Sequence, residues 1–204
     1  MSGSTGESDG IVRCAWVASD PLYERYHDTE WGVPVRDDHL LFETLTLGGA
    51  QAGLSWLTVL RKRENYRKAF HLFDPVRVAA YGEEDVQRLL GNSGIIRNQL
   101  KIRSCVSNAR AFCRVQEECG GFAPFLWGFA GGRPIQHAWK HIREVPATSP
   151  ESDQLSGELR RRGFKFVGST ICYAVMQAVG MVNDHTTDCP RWAEVAAMAP
   201  ALTG

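Results

Sequence analysis

Two pairs of cysteine and histidine stand near opposite ends of the chain, and they constrain its fold more than any other feature. Cys14 and His27 are separated by twelve residues, and His185 and Cys189 by three. Three intervening residues place His185 and Cys189 one helical turn apart, where both side chains can reach one ion. Two thiolates and two imidazoles form the donor set of a structural, four-coordinate zinc site. Such a site would join the N- and C-terminal segments of the fold.

Spacing alone leaves other metal-binding sets open, because the chain has six cysteines and six histidines. His137 and His141 are also four positions apart, but no glutamate follows His137 as it does in the H-E-x-x-H motif of catalytic zinc helices. We interpret these two histidines as exposed or packed side chains. The even cysteine count would also suit a disulfide framework, which chain length and the lack of an apolar leader disfavour. We therefore expect reduced thiols, a cytoplasmic location and no membrane segment.

Apolar residues recur at helical spacing along most of the chain, which predicts an all-α fold. Asp37-Asp38 marks the start of a helix in which Gly48-Gly49 is expected to be a weak point or the stop, and a second helix is predicted over 55–70. No alternating strand pattern of convincing length occurs, and residues 164–167 are predicted to form a short extended link. Further helices are predicted to start at Ser149-Pro150 and after Gly168, the latter ending at Gly180.

A basic segment in the middle of the chain contains two helical patterns joined by a glycine-containing turn. Residues 61–110 carry 11 basic and 5 acidic side chains, although the whole chain has a net charge of zero. Gly94 in the turn can adopt positive φ and lets backbone N–H groups approach a DNA phosphate. Arg97 and Lys101 add positive charge beside it. The segment is therefore predicted to contact DNA, with a solvated charged helix face as the alternative.

Aromatic side chains crowd the first quarter of the sequence. Such a set can stack on a base that has been extruded from a duplex. Aromatic residues also dominate ordinary cores, so the composition alone leaves both interpretations open. The residues are Trp16, Tyr23, Tyr26, Trp31 and Trp56.

The cysteine–histidine set, the glycine-containing turn and the aromatic residues all occur in a sequence that resembles a known family. From Arg13 to Cys189 the sequence resembles the type I 3-methyladenine DNA glycosylases, which belong to the helix-hairpin-helix glycosylase superfamily. The matching phrases are R-C-A-W-V, D-P-L-Y-E-R-Y-H-D-T-E-W-G-V-P, Q-A-G-L-S-W, R-E-N-Y-R, F-D-P-V, G-I-I-R, R-G-F-K-F-V-G-S-T-I-C-Y and V-N-D-H.

The resemblance implies a helix-hairpin-helix DNA glycosylase fold with a zinc site that joins the two terminal segments. We expect a single unit over 11–190, in which a helix-hairpin-helix lobe packs against a zinc-bearing lobe built from both ends. A disordered N-terminal tail and a C-terminal tail are expected to flank the unit. The expected boundaries are 37–130 for the first lobe, 11–36 plus 131–190 for the second, and 1–10 and 191–204 for the tails. Cys14, His27, His185 and Cys189 fall on the family's zinc positions.

The resemblance also implies a site and an activity. Tyr23, Tyr26 and Trp56 fall on base-pocket positions with Trp16 and Trp31 as neighbours, and Leu54 lies in a loop that probes the space left by a flipped nucleotide. A monomer acting on duplex DNA is expected to hydrolyse the glycosidic bond of alkylated purines, chiefly 3-methyladenine. That base is already cationic in DNA, so catalysis is expected to rest on flipping and cation–π stacking. A non-catalytic or altered-specificity lesion-binding protein is the alternative.

Gly48 departs from the family pattern. Where the family has L-E-G, this sequence has Leu47-Gly48-Gly49. The family's glutamate is expected to hydrogen-bond the adenine edge, so we predict that Gly48 weakens base binding. Glu43 precedes Gly48 by five residues on the same predicted helix and would face another direction.

Overall fold

The computed structural model describes residues 10–17 and 19–198, and helices dominate these residues. Their predominance confirms the predicted helical class. Of the predicted N-terminal tail 1–10, all but Gly10 lies outside the described residues. The helices are α1 Pro21–Thr29, α2 Asp38–Gln51, α3 Trp56–Leu60, α4 Arg63–Ala69, α5 Pro75–Ala79, α6 Glu83–Gly91, α7 Gln99–Cys119, α8 Phe122–Gly128, α9 Pro150–Arg161, α10 Ser169–Ala178 and α11 Pro190–Met198.

Side-chain caps explain where several helices begin. Asp37 accepts a hydrogen bond from the Leu40 backbone N–H at the start of α2, and Ser149 accepts one from the Ser152 N–H at the start of α9. Such caps satisfy N–H groups that have no partner inside the helix. Both predicted helix starts are therefore confirmed.

Of the two expectations for Gly48-Gly49, a weak point or a stop, the stop is wrong, because α2 continues to Gln51. Both glycines face other parts of the fold. A Cβ at Gly48 would lie 3.1 Å from Val175 Cγ2, and one at Gly49 would lie 3.4 Å from Phe166 Cβ. The glycines thus allow close packing of α2 against the segment around α10, and this tertiary contact outweighs their low helix propensity.

The single helix predicted over 55–70 is divided in the structure. α3 ends at Leu60, α4 starts at Arg63, and Lys62 between them has φ −100° and ψ −3°. The Lys62 ammonium donates to the carbonyl oxygens of Ser93 and Gly94, at 3.3 and 3.4 Å. The turn therefore brings this part of the chain against the connection between α6 and α7.

A short strand pair occurs where none was predicted. β1, Ile135–Gln136, pairs in parallel with β2, Val182–Asn183, whereas residues 164–167 form no strand. Phe166 adopts a φ of 56° in that segment, which is incompatible with an extended chain. The two-residue pairing is too short to carry an alternating sequence pattern.

The predicted C-terminal tail 191–204 is also corrected, since α11 runs to Met198 and residues 199–204 lie outside the described part. Val195 is fully buried, and the Trp192 indole N–H donates to the His137 carbonyl at 2.6 Å. Apolar residues three positions apart give this helix a face that packs on the fold.

Two apolar clusters form the core. The larger one contains residues of both predicted lobes, including Phe42 and Phe112 from 37–130 and Leu159 and Met176 from 131–190. The two predicted lobes therefore share one core, and their division into separate lobes stays a prediction. The smaller cluster contains Cys14, Tyr26, Trp31, Leu60 and Cys189.

None of the described helices is long and apolar enough to span a bilayer.

Candidate functional site

A cavity of about 190 Å³ opens between α1, α2, α3 and α10. For scale, an engineered apolar cavity of about 150 Å³ holds benzene, so this one suits a planar ring system. All six residues predicted for a base pocket line it, which sequence spacing alone would not ensure. They are Trp16, Tyr23, Tyr26, Trp31, Gly48 and Trp56; further lining residues include Thr44, Gln51, Val175 and Gln177.

The aromatic rings support one another around the cavity. Trp16 contacts Tyr23 and Trp31 edge to face, with ring centroids 5.0 and 4.9 Å apart, and Tyr26 and Trp56 are 5.5 Å apart. Burial raises the pKa of Tyr26 and of Tyr23, so both phenols are neutral at physiological pH. Aromatic faces carry negative charge density and attract cations. The arrangement therefore favours a flat, positively charged ligand.

No acidic side chain lines this cavity among the described residues. Glu43 is buried and accepts a hydrogen bond of 2.8 Å from an Arg67 guanidinium nitrogen. Glu43 therefore does not supply the carboxylate that is missing at Gly48. This agrees with the prediction that Glu43 faces another direction on the helix. Two side-chain amides, those of Gln51 and Gln177, line the cavity and can hydrogen-bond a ligand. The sequence did not indicate either residue as part of the site.

The Gln177 amide is held by a buried carboxylate. Its Nε2 donates to Asp184 Oδ2 at 2.8 Å, and Tyr173 donates to the same oxygen at 2.7 Å. His137 and Trp139 bind the other oxygen at 2.6 and 2.7 Å. Although burial of Asp184 opposes ionisation, these hydrogen bonds lower the pKa of its carboxyl. Asp184 thus anchors one wall of the cavity as a carboxylate.

The four residues of the predicted zinc site are buried together. Their ligand atoms all lie within 4.8 Å of one another. Cys14 Sγ is 3.5 Å from His185 Nδ1, and Cys189 Sγ is 3.6 Å from His27 Nε2. Tetrahedral zinc, with bonds of about 2.0 to 2.3 Å, would place its ligand atoms about 3.3 to 3.8 Å apart. The two sulfur–nitrogen distances of 3.5 and 3.6 Å lie within that range.

The imidazole rings of the cluster are oriented by outer hydrogen-bond partners. His27 Nδ1 lies 2.7 Å from Asp28 Oδ1, and His185 Nε2 lies 3.1 Å from the Trp31 carbonyl oxygen. These contacts direct the other nitrogen of each ring into the cluster, as in many metal sites. Hydrogen bonding from the Cys14 thiol lowers the pKa of Cys189, which favours a thiolate there.

The cysteine–histidine cluster lies directly behind the cavity. Trp16 contacts the His27 ring with centroids 5.4 Å apart, and Trp31 contacts His185 at 4.6 Å. Gly32 has φ +82°, and a Cβ there would lie 2.9 Å from His185 Nε2. The cluster therefore supports the wall formed by the two tryptophans.

Of the residues predicted to bind DNA, Leu54 and Arg97 are exposed. Leu54 is 42% exposed in the loop of residues 52–55, which we term the Leu54 loop. Arg97 lies in the turn between α6 and α7 and makes no ion pair among the described residues. Both are available to a partner on the surface.

The expectations for Gly94 and Lys101 need correction. Gly94 does not adopt positive φ, and its N–H donates to Asn92 Oδ1 at 2.8 Å. A Cβ there would lie 3.0 Å from Asn65 Cγ, so close packing within the protein accounts for the glycine. The Lys101 ammonium donates to the carbonyl oxygens of Ala50 and Ala52, at 2.8 and 2.6 Å. It is not the free surface cation that the sequence suggested.

Comparisons with known proteins agree on one family. The model of the methyladenine glycosylase family matches residues 16–192. The chain is 53% identical over 179 residues to DNA-3-methyladenine glycosylase 1 of Escherichia coli (strain K12), covering 88% of this chain and 96% of that protein. A crystal structure of 3-methyladenine DNA glycosylase I is 55% identical with a TM-score of 0.86, covering 88% and 98%. A variant of such an enzyme in complex with 3-methyladenine is 35% identical with a TM-score of 0.85, covering 87% and 96%.

Proposed function

Because the chain belongs to the methyladenine glycosylase family, we propose that it is a base-excision repair enzyme that hydrolyses the N-glycosidic bond of alkylated purines in DNA, chiefly 3-methyladenine. The observation that carries the proposal is the cavity lined by five aromatic side chains. In this proposal the damaged nucleotide leaves the duplex, and its base enters the cavity while the sugar stays at the mouth.

The cavity suits a leaving group that needs little chemical help. An N3-alkylated adenine is cationic in DNA, and its departure as a neutral base relieves that charge. Trp56 and Tyr26 hold the cation against their ring faces and orient the bond that breaks. A water oxygen then bonds to C1′ of the sugar, the electrons of the glycosidic bond pass to the base, and the water proton goes to solvent.

The proposed enzyme has glycosylase activity without strand cleavage. Cleavage through a covalent sugar intermediate requires an amine nucleophile. No lysine lines the cavity among the described residues. The lysine at the start of α7, Lys101, is engaged by two backbone carbonyls.

We assign DNA contact to two exposed residues, Leu54 and Arg97. Leu54 lies in a loop next to α3, whose first residue Trp56 lines the cavity, so it is placed to enter the gap left by an extruded nucleotide. Arg97 supplies a positive charge for a phosphate of the duplex.

We propose further that Cys14, His27, His185 and Cys189 bind one structural Zn²⁺. The donor set and the spacing of its atoms support this assignment. Four protein ligands leave no position for substrate, so the ion would stabilise the fold and the tryptophan wall without entering the reaction.

Release of free 3-methyladenine from methylated duplex DNA tests the proposed function. The parent protein should release the base, and Trp56→Ala should slow release at least about tenfold, given about 2 kcal/mol for a desolvated cation–π contact. Trp192→Ala removes another half-buried indole, outside the cavity, and serves as the matched control. Melting temperatures of the variants show that they are folded.

The same assay separates the enzyme from a lesion-binding protein without catalytic activity. That alternative is supported if the parent protein binds methylated DNA and releases no base. Equal release by the parent and Trp56→Ala would instead show that the aromatic cavity is not the reaction site.

A further inference from the structure

Lys101 joins two parts of the fold that are distant in sequence. It lies in the first turn of α7, immediately after the turn that follows α6. Its ammonium donates to the carbonyl oxygens of Ala50 and Ala52, which lie 51 and 49 positions earlier in the chain. These carbonyls are at the C-terminal end of α2 and at the start of the Leu54 loop.

The contact satisfies groups that would otherwise lack partners. The last carbonyl groups of a helix have no N–H donor inside it, and a cation near them also interacts favourably with the helix dipole. Lys101 is half-buried, and burial lowers the pKa of its amine. Two hydrogen bonds of 2.8 and 2.6 Å compensate the ammonium for this desolvation.

The other hydrogen bonds of the Leu54 loop are made to residues next to it in the chain, including those by which Ser55 caps α3. The Ala52 N–H donates to the Gly49 carbonyl at 3.3 Å, the Leu54 N–H donates to the Gln51 carbonyl at 2.6 Å, and Gly53 has φ +77°. The Leu54 side chain itself is largely exposed. Among the hydrogen bonds of the described residues, only the one from Lys101 to the Ala52 carbonyl connects this loop to the helix-hairpin-helix segment of α6 and α7.

We propose that Lys101 is a positioning residue that fixes the Leu54 loop relative to the DNA-facing turn between α6 and α7. This inference rests on the proposed function of the cavity. A duplex held by the turn would then meet Leu54 at a fixed distance, so that insertion of the side chain coincides with entry of the base into the cavity. The neighbouring Arg97, whose side chain is exposed, contacts the phosphate.

The experiment compares Lys101→Met with Arg97→Met, since each removes one positive charge from the same region. Amide hydrogen exchange of Ala52 and Leu54 is measured in the free proteins. The salt dependence of DNA binding and the single-turnover release of 3-methyladenine are then measured with methylated duplex. Lys101→Gln, which keeps one amide donor, gives the same comparison if the methionine variant does not fold.

Lys101→Met should accelerate exchange at both amides and keep the parental salt slope, while slowing release about tenfold to a hundredfold, as misplacement of a remote group can do. Arg97→Met should leave exchange unchanged and reduce the salt slope by about one phosphate contact. Unchanged exchange in Lys101→Met, or a loss of salt slope equal to that of Arg97→Met, would overturn the inference. Failure of the parent protein to release base contradicts the proposed function alone, because the exchange comparison requires no DNA.

Discussion

Gly48 lines the cavity at a position where the family that the sequence resembles is expected to carry a glutamate. Its Cα faces α10, and a Cβ added to it would lie 3.1 Å from Val175 Cγ2 and 3.6 Å from Ile171 Cγ2. Val175 is buried and lines the cavity. Glycine at position 48 and valine at position 175 therefore fill this wall jointly, and a larger side chain at position 48 needs a smaller one at position 175.

We predict that Gly48→Glu combined with Val175→Ala binds free 3-methyladenine at least about tenfold more tightly than the parent protein. The added carboxylate would accept a hydrogen bond from the base, and hydrogen bonds to charged groups contribute about 1.5 to 3 kcal/mol. Titration calorimetry with the free base measures the affinity, and base release from methylated DNA measures the effect on catalysis.

The two single variants are the controls. Gly48→Glu alone should gain less because of its contact with Val175, and Val175→Ala alone should gain nothing. If the parent protein already binds tightly and the double variant adds nothing, another acceptor serves the base. The Gln51 amide, which has no hydrogen-bond partner among the described residues, is the first candidate for that role.

At the scale of elements, the end of α10 controls how the N-terminal segment packs. Gly180 follows this helix with φ +71°, and a Cβ there would lie 2.5 Å from the Gly32 oxygen and the Pro34 nitrogen. The Val35 N–H also donates to the Val179 carbonyl at 3.0 Å. Only glycine allows this approach of backbone to backbone.

We predict that Gly180→Ala lowers the free energy of unfolding by about 2 to 5 kcal/mol, because it combines steric overlap with strained backbone. Gly157→Ala is the matched control. Gly157 lies in the interior of α9, where an added methyl group would have nothing within 4 Å, so alanine there should stabilise the protein by roughly 0.5 to 1 kcal/mol. Urea denaturation measures both, and equal effects of the two substitutions would contradict the packing argument.

Elements were predictable where local chemistry determines them. The caps at Asp37 and Ser149 and the apolar periodicity of α7 are properties of neighbouring residues, and the structure contains those helices. Continuation of α2 through Gly48 depends on Phe166 and Val175, more than a hundred residues away. The short pairing of β1 with β2 likewise follows from packing between distant segments, which no local pattern records.

At the scale of the whole molecule, the cysteine–histidine cluster connects fold stability to the cavity. We predict that removal of zinc by a chelator lowers the melting temperature and also weakens 3-methyladenine binding, since Trp16 and Trp31 pack on the ligand rings. Differential scanning calorimetry and base titration measure the two effects, and readdition of zinc should reverse both.

Cys189→Ala and Cys113→Ala form the matched pair for this prediction. Cys189 belongs to the buried cluster, whereas Cys113 is a half-buried thiol on α7. Metal analysis should give about one zinc per chain for the parent and Cys113→Ala, and loss of zinc with reduced stability for Cys189→Ala. A folded, active parent protein without zinc would rule the metal assignment out.

The candidate site, like the elements, was predictable only where a sequence pattern identifies its residues. Residue spacing and composition suggested the cysteine–histidine set and the aromatic set, the resemblance to family positions selected them among the alternatives, and the structure brings each set together. Lys101 contacts the Ala50 carbonyl, and Gln177 contacts Asp184. In the sequence, this lysine and this glutamine look like any other lysine or glutamine, so their type does not indicate these contacts. Their partners are defined only by the tertiary fold.

The joining of both chain ends at the cluster has a consequence during protein synthesis. Cys14 and His185 are 171 positions apart, so a ribosome adding about 5 to 20 residues per second makes the second of them roughly 10 to 30 seconds after the first. Until then the nascent chain has the N-terminal aromatic residues without the last two cluster residues, and α10, which ends at Ala178, is completed only shortly before His185. A translation product that stops before α10 would therefore contain most of the sequence but lack one wall of the cavity, and one that stops between α10 and His185 would lack the cluster that supports the tryptophan wall.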